Sequence, residues 1–369
     1  MHHNSPLRRA LAAPNFSASD ALPAARDARD DLLRQANRAH ALGSAFVAEV
    51  LAAAHRQLSR APRLDALIAG WRGDPASGAM ALRLNAGLHA LARAGQPAAL
   101  GRLYAELDGD FDGAIAQAFD AHEPALLRWM AHPTQTNEVG RSVALHAALG
   151  TLAARHPGAF ELLELGASAG LNLNLAHYAH RIGGQWRGQT GSSVRVGPDW
   201  RGAVPPDRPV AIASARGVDL DPLDLADPQT RERLLAYVWA GDTARMRRLE
   251  SAIALARHHP PHVERGSAAP WLAQRLAAPQ DAGTTRVVFH SMVMQYLADD
   301  ERRAVISGIM QAGARATPDR PLAWIGFEWR ADRSEVALQM IAWPHGTHAA
   351  SAQTLATCHP YGSWVDWRA

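Results

Sequence analysis

Residues 160–172, Phe-Glu-Leu-Leu-Glu-Leu-Gly-Ala-Ser-Ala-Gly-Leu-Asn, constrain the fold more than any other stretch of this chain. A short apolar run ends in glycines at 166 and 170, and helical spacing follows at Leu171, Leu175 and Tyr178. A strand, a tight turn and a helix start in succession bring backbone N–H groups to a place a ligand can approach. Further strand candidates are Val210–Leu220, Val263–Arg265, Arg286–His290, Leu322–Trp329, Val336–Trp343 and Trp364–Trp367. Helical spacing lies between them at Thr230–Ala256 (broken near Gly241), at Trp271–Leu276 and from Asp299 to Arg315. Alternating strands and helices predict an α/β fold with a mostly parallel sheet covered on both faces. The tight Asp332–Ser334 turn predicts an antiparallel C-terminal edge.

Upstream of residue 158 no strand pattern appears. Helical stretches are expected over Ala24–Ser59, Ala76–Ala94, Pro97–Leu107, Phe111–Met130 and Glu138–Arg155. The division that follows has a flexible tail at 1–20, a helical N-terminal or cap domain at 21–135, and a cofactor-binding α/β domain at 136–369. Within the last, residues 181–209, rich in Gly, Pro, Arg and Ser, read as an insertion.

Composition removes several chemistries. All 38 basic residues are arginine, so a phosphate-loop lysine, a Schiff base and a Ser-Lys dyad are excluded. The net charge of +3 is spread along the chain, unlike the clustered footprint of a nucleic-acid binder. Cys358 is the single cysteine, which rules out an internal disulfide. No apolar run is long enough for a membrane span, and the N-terminus lacks the apolar core of a secretory signal. A cytoplasmic protein is therefore expected. His258, His259 and His262 have only Glu264 as a nearby carboxylate, and intervening prolines bend the segment, so no metal site is expected there. The segments 343–348 and 359–362 read as turns, and the tryptophans at 324, 329, 343, 364 and 367 as packing.

The glycine loop admits several ligand chemistries. A nicotinamide dinucleotide site needs G-x-G-x-x-G, of which only Gly166 fits, and no carboxylate occurs between Glu164 and Asp199. Gly166-Ala-Ser-Ala-Gly170 also matches the G-x-S-x-G nucleophile elbow, with Ser168 as nucleophile and Asp221 or Asp299 and His359 as partners. Against that stand the absence of an upstream sheet and of an HGGG-type oxyanion loop. A non-catalytic protein that binds a cofactor or nucleotide is a third possibility.

Glu164, Gly166, Ser168, Gly170 and Asn172 resemble the acidic-residue–glycine loop of class I S-adenosylmethionine-dependent methyltransferases, with Ser168 where a glycine often stands. Ala215-Arg-Gly-Val-Asp-Leu-Asp-Pro222 resembles the end of that family's second strand, with Asp219 at the position of the ribose-binding acid. The resemblance implies a Rossmann-like fold, S-adenosylmethionine as cofactor without a metal, and in-line methyl transfer to a small molecule rather than to nucleic acid or at a membrane. It also implies that Arg141 contacts the cofactor carboxylate and Glu138 the substrate. Asp219 lies far from the loop in sequence, which makes 181–209 an insertion, and Ser267 stands where an adenine-side acid is often found.

The chain as a whole resembles an uncharacterised bacterial family, domain of unknown function 2332, from about residue 30 to the end. The likeness runs through Pro133–Arg141, the Glu164 loop, the Asp219 stretch, Val288–Ser291 and His359–Trp364.

Ligands of parallel α/β sheets bind outside the carboxyl ends of the strands. His290, just past its apolar strand, is the candidate general base. Gln295 and Tyr296 are placed to orient an acceptor, and Glu328, ending its strand, to bind an amine or act as a base. For Glu138, capping of its own helix is the competing explanation.

Overall fold

The computed structural model describes residues 27–344 and 352–369. The expected tail at 1–20 and the histidines at 345 and 348 lie outside them. Six helices come first: α1 (Asp30–Ala41), α2 (Ala45–Gln57), α3 (Pro62–Ala69), α4 (Met80–Arg93), α5 (Ala98–Glu106) and α6 (Phe111–Ala131). Then α7 (Ser142–Arg155) leads into β1 (Ala159–Leu165), followed by β2 (Ala179–Ile182), β3 (Gln185–Gly188), β4 (Arg195–Val196), β5 (Asp199–Gly202) and β6 (Ala211–Asp219). The remainder is α8 (Pro228–Ala236), α9 (Thr243–Ala256), β7 (Val263–Arg265), α10 (Ala268–Ala277), β8 (Thr284–Ser291), α11 (Asp299–Ala314), β9 (Leu322–Trp329), β10 (Val336–Trp343), β11 (Gln353–Cys358) and β12 (Trp364–Trp367).

Two compact units result: Ala21–Thr136 with Ala226–Arg247, and Asn137–Leu225 with Arg248–Ala369. In the first, apolar faces of the helices converge on Leu32, Val50, Leu64, Met80, Leu84, Leu88 and Phe119, all fully buried. Gly43, at φ 88°, splits the single helix expected over Ala24–Ser59 into α1 and α2. Asp110 caps α6 by accepting the Gly113 N–H at 2.8 Å, and α6 kinks at His122 because Pro124 lacks the N–H that would bond back along the helix. The segment 226–247 joins this unit instead of the one that holds the sheet: α8, capped by Asp227, packs on α4.

The second unit is built on a nine-stranded sheet in the order β5-β12-β11-β10-β9-β8-β1-β6-β7. The pairs from β9 through β7 are all parallel, and β10, β11 and β12 follow β9 as an antiparallel meander. Leu165, Val218, His290 and Gly326 stand in one row across the strand ends.

Three local expectations change. The chain after the glycine loop forms a 3-10 helix over Leu171–His177, not an α-helix. Gly170 starts it in the left-handed region and entry into β2 at residue 179 ends it, which leaves too little chain for α-helical bonding. Residues 181–209 are ordered strands: β2 pairs with β3 and β4, and β5 joins the far edge of the main sheet beside β12. Gln353–Cys358, where no strand was expected, is β11, held between β10 and β12.

Each unit also buries neutral histidines. In the first, His89 bonds the Ala236 carbonyl through Nδ1 at 3.1 Å and stacks on Tyr104. In the second, His146 packs against His180 with ring centroids 4.4 Å apart. Burial pulls His89 and His146 down to about 4, and His180 down as well. The unfolded chain takes up these protons near the ordinary 6.5, whereas the fold refuses them until about 4. The contribution of these histidines to stability is therefore complete above pH 6.5 and falls as pH drops toward 4, by up to about 1.4 kcal/mol per pH unit per histidine. Urea unfolding measured across this range is expected to show that slope, and His89→Gln or His146→Gln to flatten it.

Candidate functional site

The chain leaves β1 for β6 and β7 on one side, then returns to β8 and β9 on the other. The carboxyl ends of β1 and β8 thus flank the point where the winding reverses, the crevice in which such sheets take ligands. Backbone strain collects around it. Asn137 (φ 35°), Ser168 (φ 57°) and Met292 (φ 61°) are non-glycine residues in the left-handed region, beside Gly166 and Gly170.

The loop after β1 lies flat on its neighbours. A Cβ on Gly217 would come within 2.5 Å of the Ala167 side chain, and one on Gly166 within 2.5 Å of Val293. These glycines are required by the protein's own packing as well as by the turn. Asp219, at the end of β6, accepts the Ser168 N–H through Oδ2 at 2.8 Å and the Asp221 N–H through Oδ1 at 2.9 Å. It therefore clamps the loop from both of its oxygens. Asn137 accepts the Leu171 N–H at 3.0 Å, fixing the exit of the loop.

Beneath the loop sits Glu164, 2% exposed. Burial, and then the nearby Asp219, push its carboxyl well above the ordinary 4.5; Arg141 and Asn172 act in the opposite sense. Glu164 Oε2, Ser168 Oγ and Asn172 Oδ1 are all buried and have no hydrogen-bond partner. They are three of sixteen such side-chain atoms among the described residues, and they lie together at the end of β1 and in the turn and helix that follow it.

Arg141 is buried and turned to structure. It donates from Nε to the Pro360 carbonyl at 2.9 Å and from Nη1 to the Ser291 carbonyl at 3.0 Å, with the guanidinium over the Phe327 ring. Glu138 caps its own turn by accepting the Gly140 N–H at 2.8 Å, and Arg248 lies 3.4 Å away. The capping explanation for Glu138 is the one this geometry supports.

His290, Trp324 and Glu328 form a second cluster. Residues directly paired in neighbouring strands share a face, and successive residues alternate. Glu164, Gly217 and Phe289 are paired, so Asp219 and Ser291 lie on their face, while His290 pairs with Leu165 and Gly326 on the other. The sheet thus separates the two sets of candidate residues. His290 is fully buried; its Nδ1 lies 2.7 Å from Glu328 Oε1 and its Nε2 accepts the Trp324 indole N–H at 2.9 Å. An indole only donates, so Nε2 carries the lone pair and Nδ1 the proton. In this arrangement His290 positions Glu328, and service as a base would require Trp324 to release Nε2. Glu328 Oε1 also accepts the Val293 and Met294 N–H groups at 2.8 and 3.3 Å. Val293 joins the two clusters, since its side chain fills the space beside Gly166.

Glu328 and Gln295 line a shallow depression with Met294, Trp329, Arg330, Ala331 and Arg333. Tyr296, half exposed, is not among its lining residues. Among the described residues no imidazole bonds Ser168 Oγ; Asp221 pairs with Arg265 at 3.0 Å, Asp299 with Arg302, and His359 Nδ1 accepts the Tyr361 N–H at 3.2 Å. His262 lies 3.7 Å from Glu264, and Ser267 stands at the start of α10. Among the described residues, no helix is long and apolar enough to cross a membrane.

The model of domain of unknown function 2332, described as uncharacterised proteins conserved in bacteria, matches residues 29–367. The chain belongs to this family. No curated protein and no solved structure matches it. The family span contains every residue of both clusters, including three that local sequence reading missed: Trp324, Val293 and Asn137. Each acts through a partner more than 30 residues away, and no local motif records that.

Glu164 makes a stability prediction. The unfolded chain releases this proton near 4.5, whereas the fold holds it to a higher pH, so ionised Glu164 costs stability increasingly as pH rises above 4.5. Glu164→Gln is expected to stabilise the unliganded protein relative to wild type by on the order of 1 kcal/mol at pH 8, with little difference at pH 4. Paired urea titrations at the two pH values check this.

Proposed function

We propose that this chain binds S-adenosylmethionine at the β1 loop and transfers its methyl group to a small molecule. The carrying observation is the set of unpartnered buried oxygens on Glu164, Ser168 and Asn172. A carboxylate, a hydroxyl and an amide carbonyl all accept hydrogen bonds, and an ammonium offers three N–H donors. The ammonium at the amino-acid end of this cofactor therefore suits what the loop leaves unsatisfied. A bound cation would also oppose the burial that holds the Glu164 proton.

Two further observations support the reading. Numbered in chain order among themselves, the five strands β7-β6-β1-β8-β9 run 3-2-1-4-5, an order shared with half of the Rossmann-like fold, while β5 lies apart at the far edge. Asp219 ends the second of these strands and is partly exposed, and a carboxylate is the group type that accepts from a ribose cis-diol.

When bound, the cofactor supplies an electrophilic methyl group on a sulfonium sulfur. The chain's part is to hold and align. Glu164, Ser168 and Asn172 bind the amino-acid end, and Asp219 binds the ribose while keeping the loop in register. Arg141 ties the turn before α7 to Ser291 and Pro360, which fixes the floor of the crevice. Methyl transfer needs alignment above all, and a crevice set by buried hydrogen bonds provides it.

One observation favours a serine hydrolase: Ser168 adopts the positive φ of a nucleophile elbow, with Oγ unpartnered. The lack of any imidazole bonded to Oγ weighs against it.

Titration calorimetry with S-adenosylmethionine, S-adenosylhomocysteine and NAD separates these readings. The first two are expected to bind at micromolar concentration and NAD not to bind. Asp219→Asn and Glu164→Gln are each expected to weaken binding at least tenfold, about 1.4 kcal/mol. No binding of either adenosyl compound to folded protein overturns the proposal. Fluorophosphonate labelling lost in Ser168→Ala would then establish the hydrolase.

A further inference from the structure

We infer that the depression at the end of β9 binds a small molecule of amino-acid type, carrying both an amino group and an anionic group. Its role as methyl acceptor rests on the methyltransferase reading; the binding itself does not.

The first observation is the way Glu328 is held. The residue is only 5% exposed, yet it lines the depression. All of its hydrogen bonds fall on Oε1, which meets His290 Nδ1 and the N–H groups of Val293 and Met294. Trp324 locks the imidazole tautomer, so His290 delivers a proton donor and no counter-charge to that oxygen. The arginine nearest in sequence does not neutralise it either, because Arg330 Nε bonds Glu335 at 2.5 Å. One oxygen of a rigidly held carboxylate is thus saturated, and the group is presented to the depression as an acceptor. An amino group, with several N–H donors and a positive charge, is the ligand function that matches it.

The second observation is independent of Glu328. The β9–β10 turn brings Arg330 and Arg333 to the lining of the same depression. That turn is built by Arg333 at φ 55°, by the Arg333 N–H on the Arg330 carbonyl at 2.8 Å, and by Asp332 accepting from Ser334 N and Oγ. A non-glycine residue in the left-handed region costs about 1 kcal/mol or more, so this placement is maintained at a cost. A guanidinium offers five N–H donors, and Arg330 uses Nε for Glu335, leaving its terminal nitrogens for an anion. Met294, Ala331 and Trp329 supply the apolar part of the wall. Acid on one side, arginines on the other and an apolar wall between them suit an α-amino acid or a close analogue.

The test uses the full chain and calorimetry with the common free amino acids, their N-acetyl derivatives and their carboxamides. At least one free amino acid is expected to bind with a Kd of about millimolar or tighter. Its N-acetyl and carboxamide forms are each expected to bind at least tenfold more weakly. Glu328→Gln is expected to weaken the free amino acid tenfold without further weakening the N-acetyl form. Arg333→Gln, at the rim of the turn, is expected to weaken the free acid without further weakening the carboxamide, and it keeps the test decisive if Glu328→Gln fails to fold. S-adenosylmethionine affinity is expected to be unchanged in Arg333→Gln. Failure of every free amino acid to bind wild type overturns the inference, as does equal binding of the N-acetyl forms. Amino-acid binding without S-adenosylmethionine binding would leave this site standing and remove the methyltransferase reading; the converse would do the reverse.

Discussion

The carboxyl edge of the sheet is organised by one costly placement, a carboxyl group carried on β1 into a fully buried position beneath a glycine loop. Burial of Glu164 is unfavourable to its charge, and the neighbouring Asp219 adds to the cost. The surrounding structure is arranged around it. Gly217 has no side chain, so Ala167 lies against β6 and the loop closes over Glu164. Asp219 takes the Ser168 N–H and holds the loop down. Asn137 accepts the strained φ of 35° that lets its side chain meet Leu171. A structural carboxyl at this place would be replaced without loss by an apolar residue, because every other inward position of β1 is already Leu or Phe.

The opposite face solves the same problem differently. Glu328 is as deeply placed, but three N–H donors meet one of its oxygens, and one of them is an imidazole whose tautomer Trp324 determines. The order of dependence runs from Trp324 to His290 to Glu328, through bonds of 2.9 and 2.7 Å between buried groups. Low local polarity strengthens each link. Val293 belongs to both faces: its backbone holds Glu328 and its side chain abuts Gly166, so a shift in the 291–296 segment is felt at both clusters.

Much of this architecture was legible in the sequence where a single physical signal dominated. β9 and β10 fall on the residues expected from their apolar runs, because strands covered on both faces are nearly continuous in hydrophobicity, and β12, beside the edge, from its alternation of Trp364, Val365, Asp366 and Trp367. β2 to β5 escaped because strands of two to four residues among glycines and prolines carry too little pattern, and β11 because Thr354 and Thr357 interrupt its apolar side chains. Glu164, Ser168 and Asn172 were singled out as candidates from a motif that is local by nature, a strand end plus a turn, and Asp219 from a separate stretch by resemblance. The geometry of His290 was not, since both of its partners lie 34 and 38 residues further along the chain. A histidine read alone at a strand end looks like a base; its two occupied nitrogens become visible only when β8 and β9 are set side by side.

The two buried carboxyls also separate what the fold needs from what it leaves open. At Glu328 the protein supplies its own donors to one oxygen and turns the group toward a depression, so the fold tolerates the carboxylate with no ligand present. At Glu164 it supplies none to Oε2, and it leaves Ser168 Oγ and Asn172 Oδ1 equally unmet. Leaving a buried polar atom unsatisfied costs about 1–3 kcal/mol. These three are among sixteen such side-chain atoms in the described residues, and what sets them apart is that they lie together around the end of β1. Their grouping is what the proposed cofactor reading rests on, since one donor-rich group would meet all three at once. Glu328, on the other face and already provided with donors, needs no such group.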